Sequence, residues 1–86
     1  MSGKGYIFFW RNLDGKGRIR ACQGSFAGLE PPFTLSDCDA SLQLELALIN
    51  IQQSKQCPPP PNSLRVQFDF GVSNGQLVAI NVSKIA

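Results

Sequence analysis

Three cations recur at every second position of one short stretch: Lys16, Arg18 and Arg20. In a β-strand such positions share one face, so we expect a single basic row. The preceding aromatic run, residues 8–10, would lie beside this row if the two segments pair as a hairpin. Aromatic rings stack on unpaired bases while cations neutralise phosphates, a combination suited to single-stranded nucleic acid. The alternative is that these rings fill the core of a small domain.

The charge distribution favours the same region. The 86-residue chain has a net charge of only +2, which by itself indicates no polyanionic partner. Residues 1–22, however, contain five cations and one carboxylate, whereas residues 23–54 contain four carboxylates and no cation. This asymmetry would steer an anionic ligand toward the N-terminal third. Charges scattered over a solvated surface are the alternative interpretation.

Two hairpins are expected to position these residues. Residues 6–10 form a dense aromatic and β-branched run, residues 12–17 are rich in turn formers, and residues 18–22 alternate polar with apolar side chains. This pattern predicts a first hairpin. Residues 64–70 also alternate, an Asn74-Gly75 turn follows, and residues 77–82 supply a return strand. This pattern predicts a second hairpin.

The segment between the hairpins is less regular. Residues 33–35 suit a short strand, whereas Pro31-Pro32 should exclude a regular ladder. Leucines at 42, 44, 46 and 48 recur with period two, which slightly favours a strand over 41–51. The same residue types also suit a helix, which Asp37 or Asp39 would cap. The four prolines at 58–61 predict a stiff polyproline spacer, with an SH3-type ligand as the less favoured reading.

The reactive residues argue against catalysis. The chain has no histidine and three widely spaced cysteines, Cys22, Cys38 and Cys57, which excludes the usual zinc motifs. We expect reduced thiols that pack as small hydrophobes, with one disulfide as the alternative. No nucleophile, phosphate-loop or metal-ligand motif occurs, so the sequence predicts no enzymatic activity and no cofactor.

The hydropathy pattern bears on location. No apolar run approaches the roughly 18 residues of a membrane span, and the first residues do not form a signal peptide. We therefore expect a cytoplasmic protein with no membrane partner.

Four segments resemble the cold-shock domain. Residues 5–11, GYIFFWR, resemble the family's first strand, G-K-V-K-W-F-N, and residues 14–19, DGKGRI, lie over its first RNA-binding motif, K-G-F-G-F-I. Residues 33–36 match part of the second motif, and residues 66–68, Gly75 and 79–82 resemble the final hairpin. The resemblance implies one mostly β domain over 1–86, a small five-stranded antiparallel OB-type barrel that binds single-stranded RNA or DNA. An inserted segment at about 37–62 would form a strand or a short helix.

The differences from the family change the expected mode of binding. Lys16 and Arg18 replace two stacking phenylalanines of the first motif, whereas Phe9 occupies the family's tryptophan position. Such a surface would hold phosphates more than bases. The predicted nucleic-acid interface comprises Phe9, Trp10, Lys16, Arg18, Arg20 and Phe33. The alternative function is a protein-interaction or inhibitor module that dimerises through an edge strand at 41–51.

Overall fold

The computed structural model describes residues 2–24 and 26–85. The strands are β1 (Ser2–Arg11), β2 (Lys16–Gly24), β3 (Pro32–Thr34), β4 (Ile51–Gln52), β5 (Leu64–Ser73) and β6 (Gln76–Lys84), with one α-helix, α1 (Ala40–Leu46), and a 3₁₀ turn at Leu35–Asp37. They form one antiparallel sheet in the order β3-β2-β1-β5-β6, and β4 pairs with β1. The sheet nearly closes into an OB-like barrel because β6 lies beside β3. The predicted mostly β class is confirmed, with two-residue β4 as a sixth strand.

The first hairpin joins β1 and β2 through a turn at residues 12–15. Gly15 has φ of 65° there, a conformation that glycine adopts without steric cost. Two register shifts interrupt the pairing, between Lys4 and Gly5 and between Ile7 and Phe9. Bulges of this kind bend and twist a strand, which helps a small sheet to close.

The second hairpin turns at Asn74 and Gly75, with φ of 52° and 76°. Two positive φ values suit a type I′ turn, as the Asn-Gly pair predicts. Further along β6, Asn81 also has a positive φ of 52°, beside a register shift in the pairing with β5. The bulge changes which face later side chains occupy. Ala79 and Val82 therefore both reach the core although they are three residues apart.

The leucine-rich segment forms α1 over Ala40–Leu46, so the favoured strand over 41–51 is wrong and the alternative, a short helix, is confirmed. The Asp39 side chain caps α1 by accepting a hydrogen bond from the Leu42 backbone N–H at 2.9 Å. Leu42 and Leu46 are buried one helical turn apart, whereas Leu44 is 73% exposed. The period of two therefore reflects leucines on two helix faces, of which only one packs on the barrel. The predicted dimerising edge strand is absent from this segment, in which only Ile51–Gln52 pair with β1.

Trp10 organises the packing of the helix against the barrel. Its ring stacks on Phe33 at a centroid separation of 5.5 Å, and its indole N–H donates to the Leu46 carbonyl at 2.9 Å. The bond satisfies both the indole donor and a carbonyl at the end of α1. The surrounding buried residues include Ile7, Ile19, Leu42, Val66, Phe68 and Val82.

The cysteines are not all reduced, contrary to expectation. Cys22 in β2 and Cys57 in the proline-rich segment form a disulfide, with their Cα atoms 5.8 Å apart. They are 35 residues apart in sequence, and only the return of the chain across β1 brings them together. Cys38 is the buried free thiol. None of the helices that the structure describes is long and apolar enough to cross a membrane.

Candidate nucleic-acid interface

The basic row lies on the outer face of β2. Lys16 and Arg18 are exposed and alternate with buried Gly17 and Ile19. Phe9 of β1 pairs with Arg18, so its partly exposed ring shares the face of the two cations. Gly17 faces inward, where an added Cβ would lie only 2.9 Å from the Phe33 ring. A glycine here allows the cations to lie directly above the Trp10–Phe33 stack.

A groove of about 660 Å³ opens beside this row. It lies where the β5–β6 hairpin approaches β3, and we call it the seam groove. One wall consists of β2 and β3 with Phe9, and the other consists of the hairpin. Its lining residues include Phe9, Lys16, Arg18, Phe33, Asp37, Asn74, Gln76, Val78 and Ile80. The groove therefore combines cations, apolar side chains and the amides of the hairpin turn.

The two groove cations keep their charge available. Within residues 2–24 and 26–85, neither Lys16 nor Arg18 forms an ion pair. Arg18 donates one hydrogen bond, from Nη1 to the Glu30 backbone carbonyl at 3.2 Å. The groove carboxylate, Asp37, accepts from the Thr34 backbone N–H at 2.8 Å and from its hydroxyl at 3.0 Å. Asp37 is thus bonded to its own 3₁₀ turn, and the cations remain free to bind an anion.

Two of the predicted stacking rings are in the core. Trp10 is 1% exposed and Phe33 is 2% exposed. Because they stack on each other beneath Gly17, neither can offer a ring face to a base. Phe33 lines the base of the seam groove, but Trp10 does not. Phe9 is therefore the one ring among the six predicted residues that a ligand can reach.

Arg20 is separate from the groove. Its Nη1 lies 3.1 Å from a Glu30 carboxylate oxygen and donates to the Gly28 carbonyl at 2.9 Å. Lys55 binds the other Glu30 oxygen at 3.3 Å. The Arg20 charge is therefore compensated, although its side chain emerges from the same face of β2. Of the three cations that the sequence places in one row, Lys16 and Arg18 lie in the groove, whereas Arg20 lies outside it.

A short segment covers the other part of this outer face. Residues 53–57, which we call the strap, cross β1. The Tyr6 hydroxyl donates to the Ser54 carbonyl at 2.8 Å and accepts from the Gln56 N–H at 2.7 Å. The Gln53 N–H donates to the Phe8 carbonyl at 2.9 Å, and Lys55 Nζ lies 5.5 Å from the Phe8 ring centroid. The disulfide at Cys57 ties the end of the strap to β2.

The strap buries two rings that lie outside the main core. Tyr6 is 0% exposed and Phe8 is 6% exposed, yet neither belongs to the cluster around Trp10. We call Tyr6, Phe8 and Arg20 the covered face. Sequence reasoning missed the strap and the hairpin wall of the groove, because each arises from contacts between segments far apart along the chain.

The remaining titratable group that stands out is Cys38. Burial, together with the nearby carboxylates of Asp37 and Asp39, raises the pKa of its thiol to about 12. The thiol therefore stays protonated and is a poor nucleophile. Among the residues that the structure describes, no group of three histidine, cysteine, aspartate or glutamate side chains could hold a metal ion.

No family model matches the chain, and no curated protein matches it significantly.

Proposed function

We propose that this chain is a small, non-catalytic protein that binds single-stranded RNA or DNA in the seam groove through a cold-shock-like barrel. One observation carries the proposal: Lys16 and Arg18, which have no carboxylate partner among the residues that the structure describes, line the same groove as the accessible ring of Phe9. The groove thus offers both cations for phosphates and a ring for a base.

The position of the groove in the barrel supports the proposal. OB-type barrels bind oligonucleotides on the face of their second and third strands and in the loops after the first and fourth strands. If the short β4 is left out, the five remaining strands lie across the sheet as third, second, first, fourth and fifth in chain order, which is the strand order of an OB-type barrel. The seam groove is lined by β2, β3 and the turn of the β5–β6 hairpin, which correspond to the second and third strands and the loop after the fourth.

The expected contacts follow from the side chains. Lys16 and Arg18 would each neutralise a phosphate, which gives a slope of log affinity against log salt of roughly −1.4 for a single strand. Phe9 would stack on one base, worth about 1–3 kcal/mol. Val78 and Ile80 would contact sugars or the edges of bases. Since phosphate contacts dominate, sequence preference should be weak.

The test is a titration of end-labelled oligothymidylate and oligouridylate, followed by fluorescence anisotropy. The label belongs on the oligonucleotide because Trp10 is buried and would report contact only indirectly. Lys16→Glu/Arg18→Glu should abolish measurable binding at low salt. The matched control is Lys4→Glu/Arg65→Glu, two exposed cations outside the groove that give the same change in net charge. Equal affinity of the groove variant and the wild type would disprove the proposal.

A homodimer through α1 and the turn that follows it is a second candidate function, because Leu44 of α1 is 73% exposed and Leu48 and Ile49 after the helix are 85% and 37% exposed. Exposed apolar side chains grouped in this way are typical of interaction surfaces. Light scattering over a range of concentrations should then show a dimer that Leu44→Glu/Leu48→Glu converts to a monomer. A wild-type monomer at every concentration would rule this candidate out.

A further inference from the structure

We propose that the strap is a redox-controlled cover: reduction of the Cys22–Cys57 disulfide releases residues 53–57 and exposes the covered face as a second platform for a single strand. The stacking role of this face rests on the proposed function of the seam groove. The release of the strap on reduction does not depend on that function.

The covered face has the composition of a binding surface. Tyr6 and Phe8 supply two rings on the outer side of β1, and Arg20 pairs with Tyr6 across the β1–β2 ladder. These rings lie outside the main core, so their exposure would leave the Trp10 cluster intact. Phe8 lies at the register shift between Ile7 and Phe9, a bulge that lets Phe8 and Phe9 share the outer face, so the covered face continues the surface that borders the seam groove.

The closed strap leaves polar atoms unsatisfied. Among the described residues, three buried side-chain atoms have no hydrogen-bond partner: Arg20 Nε of the covered face, Gln53 Oε1 of the strap, and Ser63 Oγ, which lies outside both. Native proteins rarely leave such atoms unpaired, because each loses its bonds to water. In the open form Gln53 Oε1 could regain water, and the Arg20 N–H could donate to a phosphate. The closed form therefore has an internal cost that opening relieves.

The disulfide is placed to control the opening. It fixes the end of the strap to β2, and Cys57 is exposed, so a reductant can reach it. After reduction the strap is held by the Tyr6 hydroxyl bonds, the Gln53 backbone bond, the Lys55–Glu30 ion pair and the contact of Lys55 with the Phe8 ring. The ion pair is partly exposed and contributes little. The polyproline segment that follows cannot pair with the sheet and offers no replacement anchor.

The chemical step requires a dithiol. One thiolate attacks a sulfur of the protein disulfide, which forms a mixed disulfide and releases the other cysteine as a thiolate. The second thiol of the reductant then displaces the remaining cysteine and closes its own disulfide. The protein gains two electrons and two protons as two thiols, and the dithiol is oxidised.

Opening can be measured at a single residue, because Tyr6 is the only tyrosine in the chain. The full chain is compared in its oxidised form, after dithiothreitol treatment and alkylation of the freed thiols with iodoacetamide, and as Cys22→Ser/Cys57→Ser. Tyr6 should resist tetranitromethane in the oxidised form and become nitrated in the other two. Tryptic cleavage after Lys55 should accelerate in parallel, and Trp10 emission should stay unchanged because the core is intact.

Binding is then measured with an oligothymidylate of about 16 nucleotides, the upper site size of an OB-type barrel. The serine variant should bind at least about fivefold more tightly than the oxidised wild type, the lower limit for one additional stacked base. Adding Arg20→Gln should reduce this gain, because Arg20 would hold a phosphate beside the stacked base. Failure of the groove proposal would instead appear as wild-type affinity in Lys16→Glu/Arg18→Glu in the oxidised form.

Three outcomes would overturn the switch. If Tyr6 stays unreactive after complete reduction, the strap does not open. Nitration together with a red shift of Trp10 emission means that the disulfide supports the whole fold. Exposure of Tyr6 with no gain in affinity means that the covered face does not bind nucleic acid.

Discussion

The two parts of the outer face of the β1–β2 hairpin have similar residues but different environments. Near the turn, Phe9, Lys16 and Arg18 border an open groove. Further along, Tyr6 and Phe8 lie beneath the strap, and Arg20 is paired with Glu30. Rings and cations on a strand therefore do not define an interface. Access depends on which distant segment packs against them.

The largest expected effect on stability comes from a comparison of two adjacent rings, Phe9 and Trp10. Trp10→Ala removes a fully buried ring and a hydrogen bond, so we expect a loss of about 3–5 kcal/mol in the free energy of unfolding. Phe9→Ala should cost less stability but should weaken oligonucleotide binding by the equivalent of about 1–3 kcal/mol. Urea unfolding and anisotropy titrations check both values. Unaltered affinity in Phe9→Ala would contradict its assignment as the accessible ring.

Removal of the disulfide tests whether it holds the strap over the covered face. Cys22→Ser/Cys57→Ser removes a cross-link that restricts the unfolded chain, so we expect a loss of about 2–4 kcal/mol of stability with retention of fold. Urea unfolding with and without dithiothreitol provides the control, since the reductant should lower the stability of the wild type and not that of the variant. A reductant effect of equal size on both proteins would assign the loss to some other cause.

A matched pair of substitutions compares the two parts directly. Arg18→Gln removes a groove cation and should weaken oligonucleotide binding several-fold, with the salt slope reduced by about 0.7. Arg20→Gln removes a cation that already has a carboxylate partner, so affinity in the oxidised protein should change by less than about twofold. Titrations at about 50 and 200 mM salt distinguish them. Equal losses of affinity in the two variants would show that the oligonucleotide also contacts residues outside the groove.

The last effect concerns the part of the core that contains Cys38. The pKa of Cys38 is raised from 9.0 to about 12, so both the folded and the unfolded states keep the thiol proton below pH 9. Above pH 9 only the unfolded state loses it, and stability should fall by up to about 1.4 kcal/mol per pH unit. Unfolding measured from pH 8 to 11 should show a shallower decline in Cys38→Ala. Parallel curves would mean that this part of the core admits water.

Local patterns predicted the hairpins because the signals were short-range. Alternation in residues 64–70 and the Asn74-Gly75 turn need no distant partner, and Asp39 was one of two predicted helix caps. The strand prediction for 41–51 failed because a period of two among leucines also arises when a helix carries leucines on opposite faces. Only the contact of Leu42 and Leu46 with the barrel separates the two readings.

The candidate site was predicted in part. The alternation of Lys16, Arg18 and Arg20 placed them on one face, but it could not show that Glu30 would pair with Arg20. The adjacency of Phe9 and Trp10 offered two rings without saying which one points inward. A bulge in β1 and the contact with Phe33 decide that question, and both are tertiary features.

Local sequence patterns specify the mostly β class, the two hairpins and the shared face of the cations, because strand periodicity and turn chemistry act over a few residues. Tertiary structure alone decided which residues are accessible. The seam groove needs β6 to reach β3, and the strap needs Cys57 to meet Cys22 across 35 residues of sequence. Such contacts form only when distant segments pack together, since their energy comes from burial and pairing that no local pattern encodes.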